Sequence, residues 1–111
     1  MNITTRSIGN CRVLDLNGRI VLGADTEAVR NAVREAVKDN PKKIVLNLCN
    51  VSYVDSCGIG ELVSSYTHVR SQGGNLVLLN LTKKIRELLV ISKLITVFET
   101  FENEKLAVAD G

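Results

Sequence analysis

The strongest constraint on the fold is a succession of two strands of the buried type with a helix between them. Ile44–Cys49 and Leu76–Leu79 are short, nearly continuous apolar runs, which is typical of strands covered on both faces of a sheet. Between them, apolar residues recur at helical spacing over Ile59–Val69, and Gly73-Gly74 marks the end of the helix. This order predicts a right-handed βαβ unit with parallel strands.

Before this unit, the sequence predicts short strands joined by hairpins. Ile3–Ile8 is a weak strand candidate, and Cys11–Leu16 alternates more clearly between its two faces. Asn17-Gly18 is a turn signal, so we expect Arg19–Leu22 to return as a short strand.

Three further helices are predicted from capping residues and apolar spacing. Asp25 is expected to cap the first, which carries a narrow apolar stripe over Ala28–Val37 and ends at Asn40-Pro41. Thr82 is expected to cap a helix after the second buried strand, and Asn103 to cap a short final one.

A brief edge strand at Val97-Phe98 completes the predicted elements. Together they predict a single α/β domain over residues 1–111, with a mixed sheet of four to five strands and about four helices, packed mainly on one face. A chain of 111 residues suffices for one hydrophobic core and is too short for two.

Composition makes several classes of function improbable. The net charge is only +2 and aromatic residues make up 4%, so direct binding of nucleic acid has little support. No apolar run approaches the roughly 20 residues that span a bilayer, and the start of the chain lacks the pattern of a secretion signal. We therefore expect a cytoplasmic protein without a membrane partner.

The cysteines Cys11, Cys49 and Cys57 are odd in number and lack metal-ligand spacing. This argues against a disulfide framework and a zinc site, so we expect no metal and no cofactor. Cys11 and Cys49 are expected to be small buried apolar residues. Cys57 could be a reactive thiol near a helix N-terminus, but a cysteine that fills a small space is the commoner case.

The candidate functional site is the segment Asp55–Gly60, which follows a buried strand and precedes a helix. Ligand sites in α/β sheets occur at this carboxyl end of the strands. Gly58 and Gly60 cost about 1 kcal/mol each relative to alanine within a helix. They either permit the close approach of a partner or only allow tight helix–sheet packing.

Ser56 is placed to act as a helix cap or as a phosphorylation switch. The free N–H groups and the dipole at a helix N-terminus favour an anion, and a phosphoryl group would add about −1.5 to −2 charges. Asp55 beside it would oppose that charge. A partner docked over the segment would meet an uncompensated anion, at a cost of several kcal/mol.

Two other pairs of side chains suggest catalysis. Ser64 and His68 lie four residues apart on one helix face, as a nucleophile and its base could, but a solvated helix face is the simpler explanation. Asp25 and Asp55 could form a carboxylate pair for acid–base chemistry, although capping and loop polarity explain them more simply. An enzyme that uses Ser56 or Cys57 is therefore an unfavoured third class of function.

The segment Asn50–Gly60 resembles the STAS domain, and within it the stand-alone anti-sigma factor antagonists of bacteria. That family typically has Asp-Ser-Ser/Thr-Gly-Leu/Ile-Gly after a hydrophobic strand and a short loop. Further matches are Leu16–Ile20, Gly73–Leu76 and Val97–Phe101, so the resemblance covers essentially the whole chain.

The resemblance implies partner switching. The unphosphorylated antagonist binds an anti-sigma factor that is also a serine kinase of the histidine-kinase-like ATPase fold, and a sigma factor is released. Phosphorylation ends the capture, a metal-dependent serine phosphatase resets it, and the antagonist itself is a monomer or weak homodimer. The implied partner surface combines the loop before the first long helix with the candidate segment: Gly23, Asp25, Asp55, Ser56, Cys57, Gly58, Ile59 and Gly60.

Cys57 departs from the family pattern, because the residue after Asp-Ser is often the phosphoacceptor and a serine kinase cannot phosphorylate cysteine. Either Ser56 takes the phosphate, or this chain is a STAS binding module without that switch. STAS domains also serve as accessory subunits of ABC-type lipid transporters, which is the alternative function.

Overall fold

Within residues 1–109, five strands lie side by side in chain order in one mixed sheet. The computed structural model describes residues 1–109. Strand β1 (Asn2–Ile8) runs antiparallel to β2 (Cys11–Ile20), whereas β3 (Lys43–Val54), β4 (Asn75–Leu79) and β5 (Glu99–Phe101) continue the sheet in parallel. The predicted α/β fold with a mixed sheet is therefore confirmed.

In the described part of the chain, three of the four helices pack on one face of this sheet and one packs on the other. Helices α1 (Ala24–Val37), α2 (Ser56–Ser71) and α3 (Lys83–Ile91) contribute buried residues to one large core on one face, and a 3-10 turn spans Leu94–Thr96. The short α4 (Glu104–Ala107) packs on the opposite face. No helix within residues 1–109 has both the length and the apolar character needed to cross a bilayer.

The two faces explain the continuous apolar runs of the central strands. In β3, Ile44 and Leu46 face the large core, whereas Val45 faces the smaller cluster around α4. Leu78 and Leu79 divide in the same way in β4. Because both faces are covered, every position of these segments favours an apolar residue.

The predicted hairpin at Asn17-Gly18 is wrong, since β2 continues through it to Ile20. Asn17 pairs with Asn50 of β3 and Gly18 with Val51, with shifts of register on either side. Gly18 has a φ of 119°, so its backbone freedom serves an irregularity within a strand rather than a turn. Pairing with the long strand β3 overrides the local turn signal.

Strand β3 is also longer than predicted, because it continues past Cys49 to Val54 where the sequence suggested a loop. In this extension, Val51 and Val54 are buried, whereas Ser52 and Tyr53 between them are exposed.

The prediction that Cys49 is buried is wrong. Cys49 is exposed, because it lies on the α4 side of the sheet beyond the residues that α4 covers. Cys11 is fully buried, as predicted.

The start of α1 and the position of the edge strand differ from the predicted ones. The N-cap of α1 is Gly23 rather than Asp25. The edge strand is Glu99–Phe101 rather than Val97-Phe98, because Val97 closes the 3-10 turn with its N–H on the Leu94 carbonyl. The Phe98 side chain is buried in the core and meets the Tyr66 ring edge-on at 5.5 Å. The Thr82 and Asn103 caps are confirmed.

Candidate functional site

Asp55 caps helix α2 and joins it to the loop between β2 and α1. Its Oδ1 atom accepts the Gly58 N–H at 2.7 Å, and its Oδ2 atom accepts the Leu22 N–H at 3.1 Å. These bonds stabilise the carboxylate and lower the pKa of Asp55 from its ordinary value, the Gly58 bond contributing most. Asp55, and not Ser56, is therefore the residue that caps the helix.

Gly58 lets the helix begin directly against the end of β2. A Cβ atom at this position would stand 2.2 Å from the Ile20 carbonyl oxygen and 2.7 Å from Val54 Cγ1. Only glycine fits there without a shift of the backbone. Gly60 differs, because a Cβ there would meet nothing within 4 Å and the residue is exposed. Tight packing therefore explains Gly58 but not Gly60.

Ser56 and Cys57 are both exposed in the first turn of α2. Ser56 is the first helical residue, directly after the cap. Its hydroxyl thus stands at the positive end of the helix dipole, where an added anion is favoured. The structure places the candidate phosphoacceptor where another protein could reach it.

Asp25 also holds the loop between β2 and α1, the same loop that Asp55 contacts. Its Oδ2 atom accepts the Val21 N–H at 3.2 Å, and its Oδ1 atom lies 3.5 Å from the terminal amino group of Met1. Asp25 and Asp55 thus hold the consecutive residues Val21 and Leu22. Since both carboxylates accept backbone N–H groups, the arrangement favours a structural role over acid–base chemistry.

The start of α1 shapes the rest of this loop. Gly23 is exposed with a φ of 112°, and its N–H donates to Thr26 Oγ1 at 3.2 Å. Leu22 beside it is 72% exposed. The structure thus brings the two predicted halves of the surface, Gly23–Asp25 at the start of α1 and the Asp55–Gly60 segment, together through the Asp55–Leu22 bond.

Leu22 and Tyr53 are exposed apolar residues beside the candidate segment that the sequence did not identify. Tyr53 is 43% exposed near the end of β3, two residues before Asp55. A single exposed apolar residue is ordinary, but Tyr53 lines one groove with Ile59, Leu88 and Ile91, and a contiguous apolar patch can mark a contact surface. Sequence patterns carry no such signal, because exposure depends on which strand and helix cover each position.

Ser64 and His68 line a shallow depression between α1 and α2 together with Glu61. The buried Glu61 carboxylate accepts two bonds from Arg30, at 3.1 and 2.7 Å, and one from the Ser65 hydroxyl. The acid in this depression is therefore held in an ion pair between helices. This geometry favours the solvated-face explanation for Ser64 and His68 over a catalytic one.

Comparison with known proteins places this architecture in a family. The family model described as the STAS domain matches residues 2–107. The anti-sigma F factor antagonist of Paenibacillus polymyxa is 27% identical over 86 residues, which is 77% of this chain and 74% of the relative. A STAS-domain containing protein of Pseudomonas aeruginosa is 29% identical over 86 residues, with 78% and 83% covered.

Solved structures share the fold at lower identity. An anti-sigma factor antagonist from Mycobacterium paratuberculosis superposes with a TM-score of 0.82 at 18% identity, covering 98% of this chain and 92% of the other. The phosphorylated form of the Bacillus cell fate determinant SpoIIAA gives 0.71 at 20% identity, covering 95% and 96%. A sulfate transporter family protein from Wolinella succinogenes gives 0.79 at 17% identity, covering 92% and 84%. The chain belongs to the STAS domain family.

Proposed function

We propose that this chain is an anti-sigma factor antagonist. It binds an anti-sigma factor that is also a serine kinase of the histidine-kinase-like ATPase fold, and this capture releases a sigma factor. The observation that carries the proposal is the exposed Ser56 at the start of α2, beside a loop pinned by Asp55. The anti-sigma factor antagonists among its relatives support the class of partner.

Phosphorylation of Ser56 is the proposed control. The kinase transfers the γ-phosphoryl group of its own ATP to Ser56 Oγ, which loses its proton, and ADP leaves. The product carries about −1.5 to −2 charges next to Asp55, whose carboxylate is already negative. A partner covering this surface would then bury like charges side by side, so the complex dissociates.

Cys57 narrows the choice of acceptor. In the described structure, Ser56 and Cys57 are adjacent and both exposed, so either position is accessible to a kinase. Of these two residues, only Ser56 has the hydroxyl group that a serine kinase requires. Ser56 is therefore the proposed acceptor, and a metal-dependent serine phosphatase is the proposed enzyme that restores it.

The proposed protein is a non-catalytic binding module that acts in the cytoplasm as a monomer or weak homodimer. The carboxylates of Asp25 and Asp55 and the Glu61–Arg30 pair are engaged in holding elements together. Such groups stabilise a docking surface rather than move protons. Hydrolysis of generic esters by the pure protein, abolished by Ser56→Ala or Cys57→Ala, would contradict this view.

A transport role is the second candidate function. The Wolinella structure shows that the same fold occurs in a sulfate transporter family protein. In this alternative, the chain is an accessory subunit of an ABC-type lipid transporter and contacts the transport ATPase. A STAS module that binds its partner without phosphorylation is the remaining variant.

The decisive experiment compares three baits in a pull-down from host lysate: wild type, Ser56→Asp, and Ser64→Asp as a control. Ser64 is an exposed serine further along α2, so its replacement adds the same charge away from the loop. We expect a kinase-type ATPase to be held by the wild type and by Ser64→Asp, and to be lost by Ser56→Asp. Capture of a transport ATPase instead would favour the second candidate.

Phosphorylation is then tested directly with the purified kinase and ATP. We expect mass spectrometry to map one phosphate to Ser56 in the wild type and none in Ser56→Ala. The double variant Ser56→Ala/Cys57→Ser tests whether a hydroxyl at position 57, which the family often uses as acceptor, is phosphorylated instead. Equal capture of the kinase by all baits, with no phosphate on the wild type, would contradict the switch and leave an unregulated binding module.

A further inference from the structure

An open groove of about 660 Å³ lies beside Ser56, between the start of α2 and helix α3. Most of its lining is apolar and comes from three elements that are distant in sequence. Tyr53 belongs to β3, Ile59 belongs to α2, and α3 contributes Leu88 and Ile91. Asp55 and Ser56 stand at its wall, so the groove continues the candidate site toward α3.

The rim of the groove leaves apolar side chains in water. Ile91 at the end of α3 is 79% exposed, and Tyr53 of β3 is 43% exposed. A small molecule lying in the groove would leave a side chain as exposed as Ile91 largely solvated. A protein surface would cover both the groove and its rim, which favours a macromolecular occupant.

The groove also carries a positive charge. Lys84 lines it, with its amino group 5.6 Å from the centre of the Tyr53 ring. The Asp55 carboxylate, which also lines the groove, accepts the backbone N–H groups of Gly58 and Leu22, so its charge is partly offset there. An occupant with a carboxylate near Lys84 would complement this side of the groove.

We propose that this groove seats an amphipathic segment of the anti-sigma factor, with apolar side chains against Leu88 and Ile91 and an acidic side chain at Lys84. This inference rests on the proposed function and adds α3 to the partner surface. Two exposed segments far apart in sequence would then select the partner. The Asp55–Gly60 segment would carry the switch, and α3 would supply much of the apolar contact.

Matched pairs of variants test the groove with the purified anti-sigma factor that the wild type captures. Ile91→Asp is compared with Val90→Asp, because Val90 is also exposed on α3 but does not line the groove. Lys84→Glu is compared with Lys83→Glu, an exposed neighbour outside the lining. We expect Kd to rise about tenfold to a hundredfold for Ile91→Asp and Lys84→Glu, as for central interface residues, and less than about threefold for the controls.

A charge exchange identifies the occupant. Each exposed Asp or Glu of the anti-sigma factor is replaced by Lys in turn and tested against Lys84→Glu. We expect one such replacement to weaken binding to the wild type and to recover binding to Lys84→Glu. Thermal melting of every variant verifies that the exposed substitutions leave the fold intact.

The outcomes separate this inference from the proposed function. If the wild type binds no anti-sigma factor, both fail. If Ser56→Asp abolishes binding while Ile91→Asp and Lys84→Glu bind as tightly as the wild type, only the groove inference is overturned. A small molecule that co-purifies with the wild type and not with Ile91→Asp, or a dimer that Ile91→Asp dissociates, would also overturn it.

Discussion

The carboxylate of Asp55 joins two loops, because its Oδ2 atom accepts the Leu22 N–H at 3.1 Å while its Oδ1 atom caps α2 through Gly58. Leu22 precedes α1, and Asp55 precedes α2. One side chain therefore sets the relative position of the two segments that form the proposed partner surface. Changes at Asp55 should affect both stability and binding.

The Asp55→Ala variant is expected to melt at a lower temperature than the wild type at pH 7, since it loses both bonds. The folded-state pKa of Asp55 lies below its unfolded value of about 3.9. The stabilisation is thus fully present above about pH 4 and is lost as the pH falls through the folded-state pKa. Thermal melting of both proteins between pH 7 and pH 2.5 measures this. A difference that stays constant with pH would contradict it.

The Gly58→Ala and Gly60→Ala variants are expected to have opposite effects. An added methyl group at Gly58 meets the Ile20 carbonyl, so we expect a loss of about 1–3 kcal/mol or more in the free energy of unfolding. At Gly60 the space is open and alanine favours the helix, so we expect a gain of up to about 1 kcal/mol. Urea unfolding measures both. Equal destabilisation would show that Gly60 also has a backbone requirement.

The three cysteines are expected to differ in their reaction with iodoacetamide. Cys49 and Cys57 are exposed, whereas Cys11 is buried and burial raises the pKa of its thiol. Mass spectrometry of the native protein at pH 7.5 should show rapid modification of Cys49 and Cys57, with Cys11 reacting only after denaturation. A rate at Cys57 equal to that of a free thiol would count against a redox role for it.

The Ser56→Asp variant is expected to fold as stably as the wild type, within about 0.5 kcal/mol, because the side chain is exposed and lies at a helix N-terminus. Binding to the anti-sigma factor should nevertheless weaken about a hundredfold or more. Urea unfolding and titration calorimetry give the two values. Loss of stability in proportion to loss of binding would indicate a folding defect rather than a switch.

Arg6 provides a control on the opposite face of the sheet. Its guanidinium binds Asp15 of β2 and Glu104 of α4, and the Arg6 bond lowers the pKa of Asp15. Because these side chains are partly exposed, Arg6→Ala should cost only about 1 kcal/mol of stability. Affinity for the anti-sigma factor should not change. A large loss of affinity would place the α4 face in the interface.

The buried strands and the main helices could be predicted from the sequence because burial and periodicity are directly linked. The apolar run Ile44–Cys49 and the helical spacing over Ile59–Val69 both required a covered sheet. The site segment Asp55–Gly60 was also found in this way, since it interrupts these patterns at the end of a strand. The capping residues Thr82 and Asn103 were identified by their local hydrogen-bonding chemistry.

Other features depended on which segments meet in space. Asn17-Gly18 has the composition of a turn, yet pairing with β3 keeps it within a strand. Asp55 is recognisable as polar, but its bond to Leu22 spans 33 positions of sequence. The groove beside Ser56 exists only because α3 lies near the end of β3 and the start of α2.

The amino-acid sequence by itself thus determined the βαβ unit, the main helices, the STAS-like segment and the candidate phosphoacceptor Ser56, since each is encoded in local pattern and residue chemistry. Only the tertiary structure decided that Gly58 is required by contact with Ile20. It also decided that Cys49 is exposed, and that Tyr53 and Ile91 face the same groove. These are relations between distant residues, and they arise from packing that no local pattern specifies.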